Sequence, residues 1–305
     1  MEDALTASAA APVLREGTAA DERAVGELCE SIYPGTDHVP WYWTRFVRDP
    51  GTQPWVIEIG GVITALAVLD VREGAGWVHS ARVAPAFRGG GLFTRLLRRH
   101  TEESRRRALS HLRFATHPGN EAMHRVAERE GFRLHATYRY VSSCAPTGEG
   151  DAAAPGDVRQ LEPADLDALE AFLRSTGGWT SGNDLCCAAW TWRDVTPDLL
   201  RSMLARGTAY GFEAGRGLEG AALTCQDLED DYRWFFLSWI GGTERSIGFL
   251  GRRLRREVAT AKPDGDEESP LCGMVFDDPA ALAGLAQAGF HFDPDEDMDV
   301  LELAL

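Results

Sequence analysis

From Val83 to Phe93 the chain reads Val-Ala-Pro-Ala-Phe-Arg-Gly-Gly-Gly-Leu-Phe, an extended segment that turns through consecutive glycines into an amphipathic helix. Upstream, Trp77 to Val83 reads as a strand. Downstream, Leu92, Phe93, Leu96, Leu97 and His100 recur on one face of a helix predicted to reach about Ala108. Gly89, Gly90 and Gly91 let bare backbone N–H groups approach a ligand, and the helix start adds unpaired donors and the positive end of its dipole. The junction is therefore an anion site, and a phosphate suits it. A mononucleotide phosphate loop would need Gly-Lys-Ser/Thr at the helix start, whereas Leu92-Phe93-Thr94 follows. A dinucleotide loop would need a further small residue where Thr94 and Arg95 stand.

What remains, Arg88-x-x-Gly91 after Val-x-Pro, resembles the pyrophosphate loop of the GNAT acyltransferase superfamily, Arg/Gln-x-x-Gly-x-Gly/Ala. The sixth position is Phe93, a departure from that pattern. A second segment, Asn120-Glu-Ala-Met-His-Arg-Val-Ala-Glu-Arg-Glu-Gly131-Phe132, is similar to the superfamily's other signature, Asn-x-x-Ala-x-x-aliphatic-Tyr-Glu-Lys-x-Gly-Phe. Asn120 can cap that helix and Gly131 can stop it. The resemblance implies an α/β (α+β) GNAT fold over residues 13–144, with a first strand near Pro12 to Glu16, two short helices, a hairpin at Trp55 to Val71 and a strand from Leu112 to Thr116. It also implies acetyl-CoA or another acyl-CoA as co-substrate, bound by Val83, Arg88, Gly89, Gly90, Gly91, Leu92, Phe93 and Asn120, with no metal.

At 305 residues the chain favours two domains over one. A run of small, polar and turn residues over 145–157 reads as a linker, and residues 1–12 as a flexible start. After the linker the pattern restarts. Val158-Arg-Gln-Leu-Glu-Pro and Asp165-Leu-Asp-Ala-Leu-Glu-Ala-Phe-Leu repeat the scheme of Val13-Leu-Arg-Glu-Gly and Asp21-Glu-Arg-Ala-Val-Gly-Glu-Leu. Strands are expected near 209–214, 218–224, 232–239 and 271–276, with a helix over 247–259. We read 158–305 as a second, degenerate copy whose junction, Ile240-Gly-Gly-Thr-Glu-Arg-Ser-Ile247, lacks the phosphate-loop pattern. This layout resembles tandem members of the superfamily.

Charge divides unevenly. Residues 1–150 hold 18 acidic and 18 basic side chains, so the whole net charge of −16 lies in the second half. Such a surface repels nucleic acid and anionic membrane and argues against an aminoacyl-tRNA-dependent transferase of the Fem type. The runs Asp264–Glu268 and Asp293–Asp299 read as solvated loops. Six cysteines form no Cys-x-x-Cys pair, and Cys186-Cys187 reads as part of a Trp-rich helix near Trp190 and Trp192. Residues 1–12 lack the basic start and apolar run of a signal peptide, and no segment has the ~20 apolar residues of a membrane span; the expected location is the cytoplasm.

For catalysis, His79, Ala81 and Val83 should share a strand face, which makes His79 the first candidate base for the acceptor amine and His117 the second. Ala127 stands where the family has a tyrosine acid, so His124, Tyr138 or Tyr140 would have to substitute. The segment Ile32-Tyr-Pro-Gly-Thr-Asp-His-Val-Pro40 resembles the Ile-Tyr-x-Gly-x-Asp-Tyr-x-Pro stretch of histidine N-acetyltransferase-like members. That resemblance assigns Tyr33, Asp37, His38 and Trp41 to the acceptor site, with Asp37 holding a substrate cation. The expected function is acyl transfer to a small-molecule amine or amino acid. The alternative is a silent acyl-CoA sensor, and self-association is left open.

Overall fold

A computed structural model describes residues 11–143, 158–176, 184–188, 190–215, 217–229, 232–261 and 271–305. The expected linker and the acidic run at 264–268 lie outside the described residues. The chain divides into two compact units. Unit 1 holds the described residues up to Thr116, Asn120–Leu134 and Leu301–Leu305; unit 2 holds His117–Gly119 and the described residues between His135 and Val300. The expected division at 145–157 thus differs from the compact one at both ends, because His135 onward groups with unit 2 and the last five residues with unit 1.

Unit 1 begins with β1 (Val13–Glu16), α1 (Glu22–Glu30), α2 (Val39–Arg48), β2 (Thr52–Ile59), β3 (Val62–Arg72) and β4 (Ala75–Val83). It continues with α3 (Leu92–Arg106), β5 (His111–Thr116) and α4 (Glu121–Arg129). β1 to β4 are antiparallel in sequence order, and β5 joins β4 in parallel. Alternation along β2 and β3 sends side chains to two cores. Ile57, Ala65, Ala67 and Leu69 meet Leu96 and Leu97 of α3, with Leu301 completing that core. Val56, Ile63 and Leu66 meet Val25, Leu28, Val39 and Trp43 of α1 and α2.

Two irregularities shape the site. The β3–β4 register shifts between Leu66 and Val68, opposite Ser80, whose φ is 54°. A non-glycine residue in that region marks a bulge that resets which face follows. β4 and β5 pair only at Gly76↔Leu112 and Trp77↔Arg113. Beyond Trp77 the two strands have no ladder between them.

In unit 2, β6 (Arg133–Ser143, entering the unit at His135) is followed by β7 (Val158–Gln160), α5 (Leu166–Ser175), β8 (Leu185–Ala188), β9 (Thr191–Asp194) and α6 (Pro197–Arg206). Then come β10 (Ala209–Ala214), β11 (Gly217–Glu229), β12 (Tyr232–Gly242), α7 (Glu244–Ala261), β13 (Leu271–Phe276), α8 (Pro279–Gln287), β14 (His291–Phe292) and β15 (Met298–Ala304). The sheet order is β7-β10-β11-β12-β13-β6, with β12 and β13 parallel. Cys186 and Cys187 lie in the β8–β9 hairpin, not on a helix. Four apolar residues in a row cannot distinguish strand from helix by period, and here the cross-strand pairs Cys186↔Arg193 and Cys187↔Trp192 decide it.

The run 293–299 is corrected in part: Asp293, Asp295 and Glu296 are exposed as expected, but its last two acids are not. Asp297 and Asp299 are buried: Asp297 accepts from Arg139 at 2.6 Å and Asp299 accepts from Thr137 at 2.6 Å. Each unit carries the same kind of ion triad, on β1 in unit 1 and on β7 in unit 2. Arg15 donates to both oxygens of Asp21 at 2.8 Å and to Glu58 at 3.2 Å. Arg159 does the same with Asp165 at 2.7 Å and with Glu213 at 3.0 Å.

Candidate active site

The β4–α3 junction forms one end of a cleft of about 780 Å³ in unit 1. After a short 3-10 turn at Pro85–Phe87, Gly89 and Gly91 take φ values of 79° and 75°, a region that costs residues with a Cβ. Gly91 is the N-cap of α3 and brings no capping side chain. The N–H groups of Leu92, Phe93 and Thr94 therefore have no intrahelical acceptor, and these residues line the cleft together with Gly89 and Gly91. Gly90 is different, since its N–H donates to Phe87 O at 3.3 Å. Arg88 is exposed beside these amides, its Nε donating to Val83 O at 3.3 Å. Phe93 packs edge-on against Phe114 at 6.0 Å, so the side chain that departs from the glycine pattern anchors the helix to β5.

The opposite wall is α4. Asn120 caps it, accepting from Met123 N at 3.2 Å and donating to Thr116 Oγ1 at 3.0 Å. Ala122, Met123 and Val126 supply apolar lining, and Arg125 and Arg129 add charge that the sequence reading did not assign. Of the charged side chains along the cleft, Arg82, Arg88, Arg125 and Arg129 face one acid, Glu128. The electrostatics favour an anion.

The other candidates fall elsewhere. The bulge at Ser80 places His79 opposite Val68 and Arg82 opposite Leu66, while Val83 pairs with Ala65 on the other face. The expected shared face of His79, Ala81 and Val83 does not exist. His79 packs on the edge of Phe46 of α2 at 5.3 Å, its Nδ1 is 2.9 Å from Ser80 Oγ, and it is not among the residues lining the cleft. Burial, with smaller effects from His38 and Arg82, pushes its pKa down to about 4, so the ring is neutral and a weak base at pH 7. His117, in unit 2, has both ring nitrogens engaged: Nδ1 accepts from Gly119 N at 2.9 Å and Nε2 donates to Pro294 O at 3.1 Å.

Asp37 is not open to a substrate cation either. It is buried and accepts from Arg82 Nε at 2.6 Å and Nη2 at 2.9 Å, as well as from Val39 N at 3.0 Å. Burial opposes its charge, but Arg82, the Val39 amide and Cys29 outweigh that and hold its pKa below the usual carboxylate range. Tyr33 lines the cleft, with the Arg82 guanidinium 5.0 Å from its ring centre. His38 and Trp41 are exposed and do not line it. Neither do the candidate acids: His124 is off the lining, and Tyr138 and Tyr140 belong to unit 2, packed on Trp192 and Trp190.

An antiparallel sheet that opens beside a parallel fifth strand, with a glycine turn leading into a helix at the opening, defines a mixed α/β domain. Residues 23–132 match the Acetyltransferase (GNAT) family. The whole chain superposes on a GCN5-related N-acetyltransferase from Sphaerobacter thermophilus with a TM-score of 0.64 at 15 % identity, covering 96 % of this chain and 95 % of that one. A Thermoplasma acidophilum protein gives 0.57 at 15 % identity over 96 % and 100 % of the two chains. A GCN5-related glucosamine N-acetyltransferase region in a fungal multi-domain β-N-acetylglucosaminidase gives 0.62 at 11 % identity over 96 % of this chain and 38 % of that one. These likenesses establish the GNAT fold. No curated protein matches the chain. Among the described residues no cluster of metal-binding side chains occurs, and no helix is long and apolar enough to cross a membrane.

Proposed function

We propose that unit 1 transfers an acetyl group from acetyl-CoA to the amine of a small molecule, and that unit 2 is a second copy of the same fold without a coenzyme site. The observation that carries the reading is the cleft that joins open amides at the start of α3 to the unpaired stretch of β4 beyond Trp77. The amides of Gly89, Gly91 and Leu92 to Thr94, with Arg88 beside them, suit a pyrophosphate. The free edge of β4 suits the amide groups of a pantetheine arm, which pair with it as an added strand would.

When bound, acetyl-CoA supplies the thioester: the acceptor nitrogen bonds to the acetyl carbon, the carbon–sulfur bond breaks, and the proton lost by the amine ends on the departing thiol. The chain orients the two reactants and keeps the acceptor end in a lining of Ile32, Tyr33 and Ala81. Ala127 offers no proton donor, and a thiol of pKa near ~8.5 leaves without one at neutral pH. His79 is neutral above about pH 4 and adds no ionisation between pH 6 and 7.

Calorimetry with acetyl-CoA, followed by thiol release against pools of amines, tests the reading. Binding with amine-dependent thiol release supports it. Binding without release under any amine would leave a coenzyme-binding module, and a limb of kcat/KM at pH 6–7 that vanishes in His79→Ala would contradict the burial of His79.

A further inference from the structure

Arg82 is the one cation of the cleft that also belongs to its acceptor end, beside Tyr33 and Ile32. Its planar guanidinium has three edges. The Nε–Nη2 edge is taken by the two oxygens of Asp37, and Nη1 donates one N–H to Ala81 O at 3.1 Å. One N–H on each terminal nitrogen is left without a partner among the described residues, and two such groups suit a carboxylate. The Arg82 side chain is 14 % exposed against 3 % for Asp37, so a ligand in the cleft meets the guanidinium and not the acid behind it. Asp37 fixes the fork, and Tyr33 covers one of its faces.

We propose that the acceptor is an amine that also bears a carboxylate, an amino acid or similar amino carboxylate, whose carboxylate sits on these two N–H groups of Arg82 under Tyr33. This rests on the transferase reading above and inverts the expected charge of the acceptor site. A ligand with only an ammonium group would face the arginine and find Glu128, on α4, as the single acid of the lining. An anchored carboxylate needs no cation site and leaves the amine free to lose its proton before attack.

The test uses the full chain, acetyl-CoA and matched sets of three acceptors, the free amino acids, their carboxamides and the corresponding decarboxylated amines, with the corresponding deaminated acids as competitors. Thiol release should favour the free acids by at least tenfold in kcat/KM. The deaminated acids should compete with the acceptor, and the decarboxylated amines should not. Arg82→Lys keeps a charge for Asp37 but lacks the fork, and should erase most of the preference; Tyr33→Ala, on an exposed position, should raise the KM of the acids several-fold. Equal rates across a set, or faster reaction of the decarboxylated amines, would overturn the proposal and leave the transferase standing. Acetyl-CoA bound with no acid accepted overturns it as well, whereas failure to bind acetyl-CoA overturns the transferase reading itself.

Discussion

Two junctions in this chain, β4–α3 and β12–α7, lead from a sheet strand into the next helix, and they treat the helix start in opposite ways. At β4–α3 the N-cap is Gly91, the turn is built from left-handed glycines, and the first amides meet a cleft. At β12–α7, Thr243 Oγ1 accepts from Ser246 N at 3.2 Å, and Ser246 Oγ donates to Glu219 O at 3.0 Å. A Cβ on Gly242 would stand 2.6 Å from Glu219 O and from Ser246 Oγ, so side chain and backbone fill the space that the first junction leaves open. The ion triads Arg15–Asp21–Glu58 and Arg159–Asp165–Glu213 are the same in both units. The ion triad recurs in both units, whereas the two helix starts differ in their caps.

The largest effect expected from this contrast is on coenzyme affinity. Gly91→Glu puts a carboxylate among the open amides and a side chain at a φ of 75°, and should weaken acetyl-CoA binding at least a hundredfold. The left-handed position alone should cost about 1–2 kcal/mol of stability. Calorimetry on a variant shown to be folded by circular dichroism checks it. Next comes Asp37→Ala, which strips a partly buried guanidinium of its partner. Broken buried pairs cost 3–5 kcal/mol; since Arg82 also faces the cleft, roughly 2–4 kcal/mol is expected, read from urea denaturation.

The shared triads predict equal acid sensitivity in the two units. Hydrogen bonds from Arg15 pull Asp21 down to about 2, and those from Arg159 do the same to Asp165. A depressed carboxylate pKa contributes stability above its unfolded value, and that contribution is lost as pH falls from near 4 toward 2. Each pair should contribute about 1–2 kcal/mol after solvent screening, visible as a falling urea midpoint over that range and reduced in slope by Asp21→Asn or Asp165→Asn. Smallest is Thr243→Ala, which removes the cap of α7 for about 1 kcal/mol and should leave acetyl-CoA affinity unchanged.

What the sequence disclosed and what it hid follow from range. The glycine turn, the Asn120 cap and the Gly131 stop are local, so three or four residues specify each one. His79 was misplaced because one residue, Ser80, takes a positive φ and shifts the register opposite it; alternation has no memory of such a bulge. Asp37 and Arg82 are 45 residues apart, and nothing in either neighbourhood announces their pairing. The ring partners of His117 are carbonyl and amide groups, Pro294 O and Gly119 N, which leave no mark on residue type. Arg125 and Arg129, to which the sequence assigns no role, line the cleft together with Met123 and Val126 of α4.

The central claim is that one junction of the two holds the coenzyme, and an amide NMR titration of the full chain with acetyl-CoA tests it most directly. The account predicts saturation at one equivalent, with the largest shifts at Gly89, Gly91, Leu92, Phe93 and Thr94 and none at Gly241 to Ser246. Saturation at two equivalents, or shifts centred on Gly242 and Thr243 with Gly91 unmoved, would contradict it.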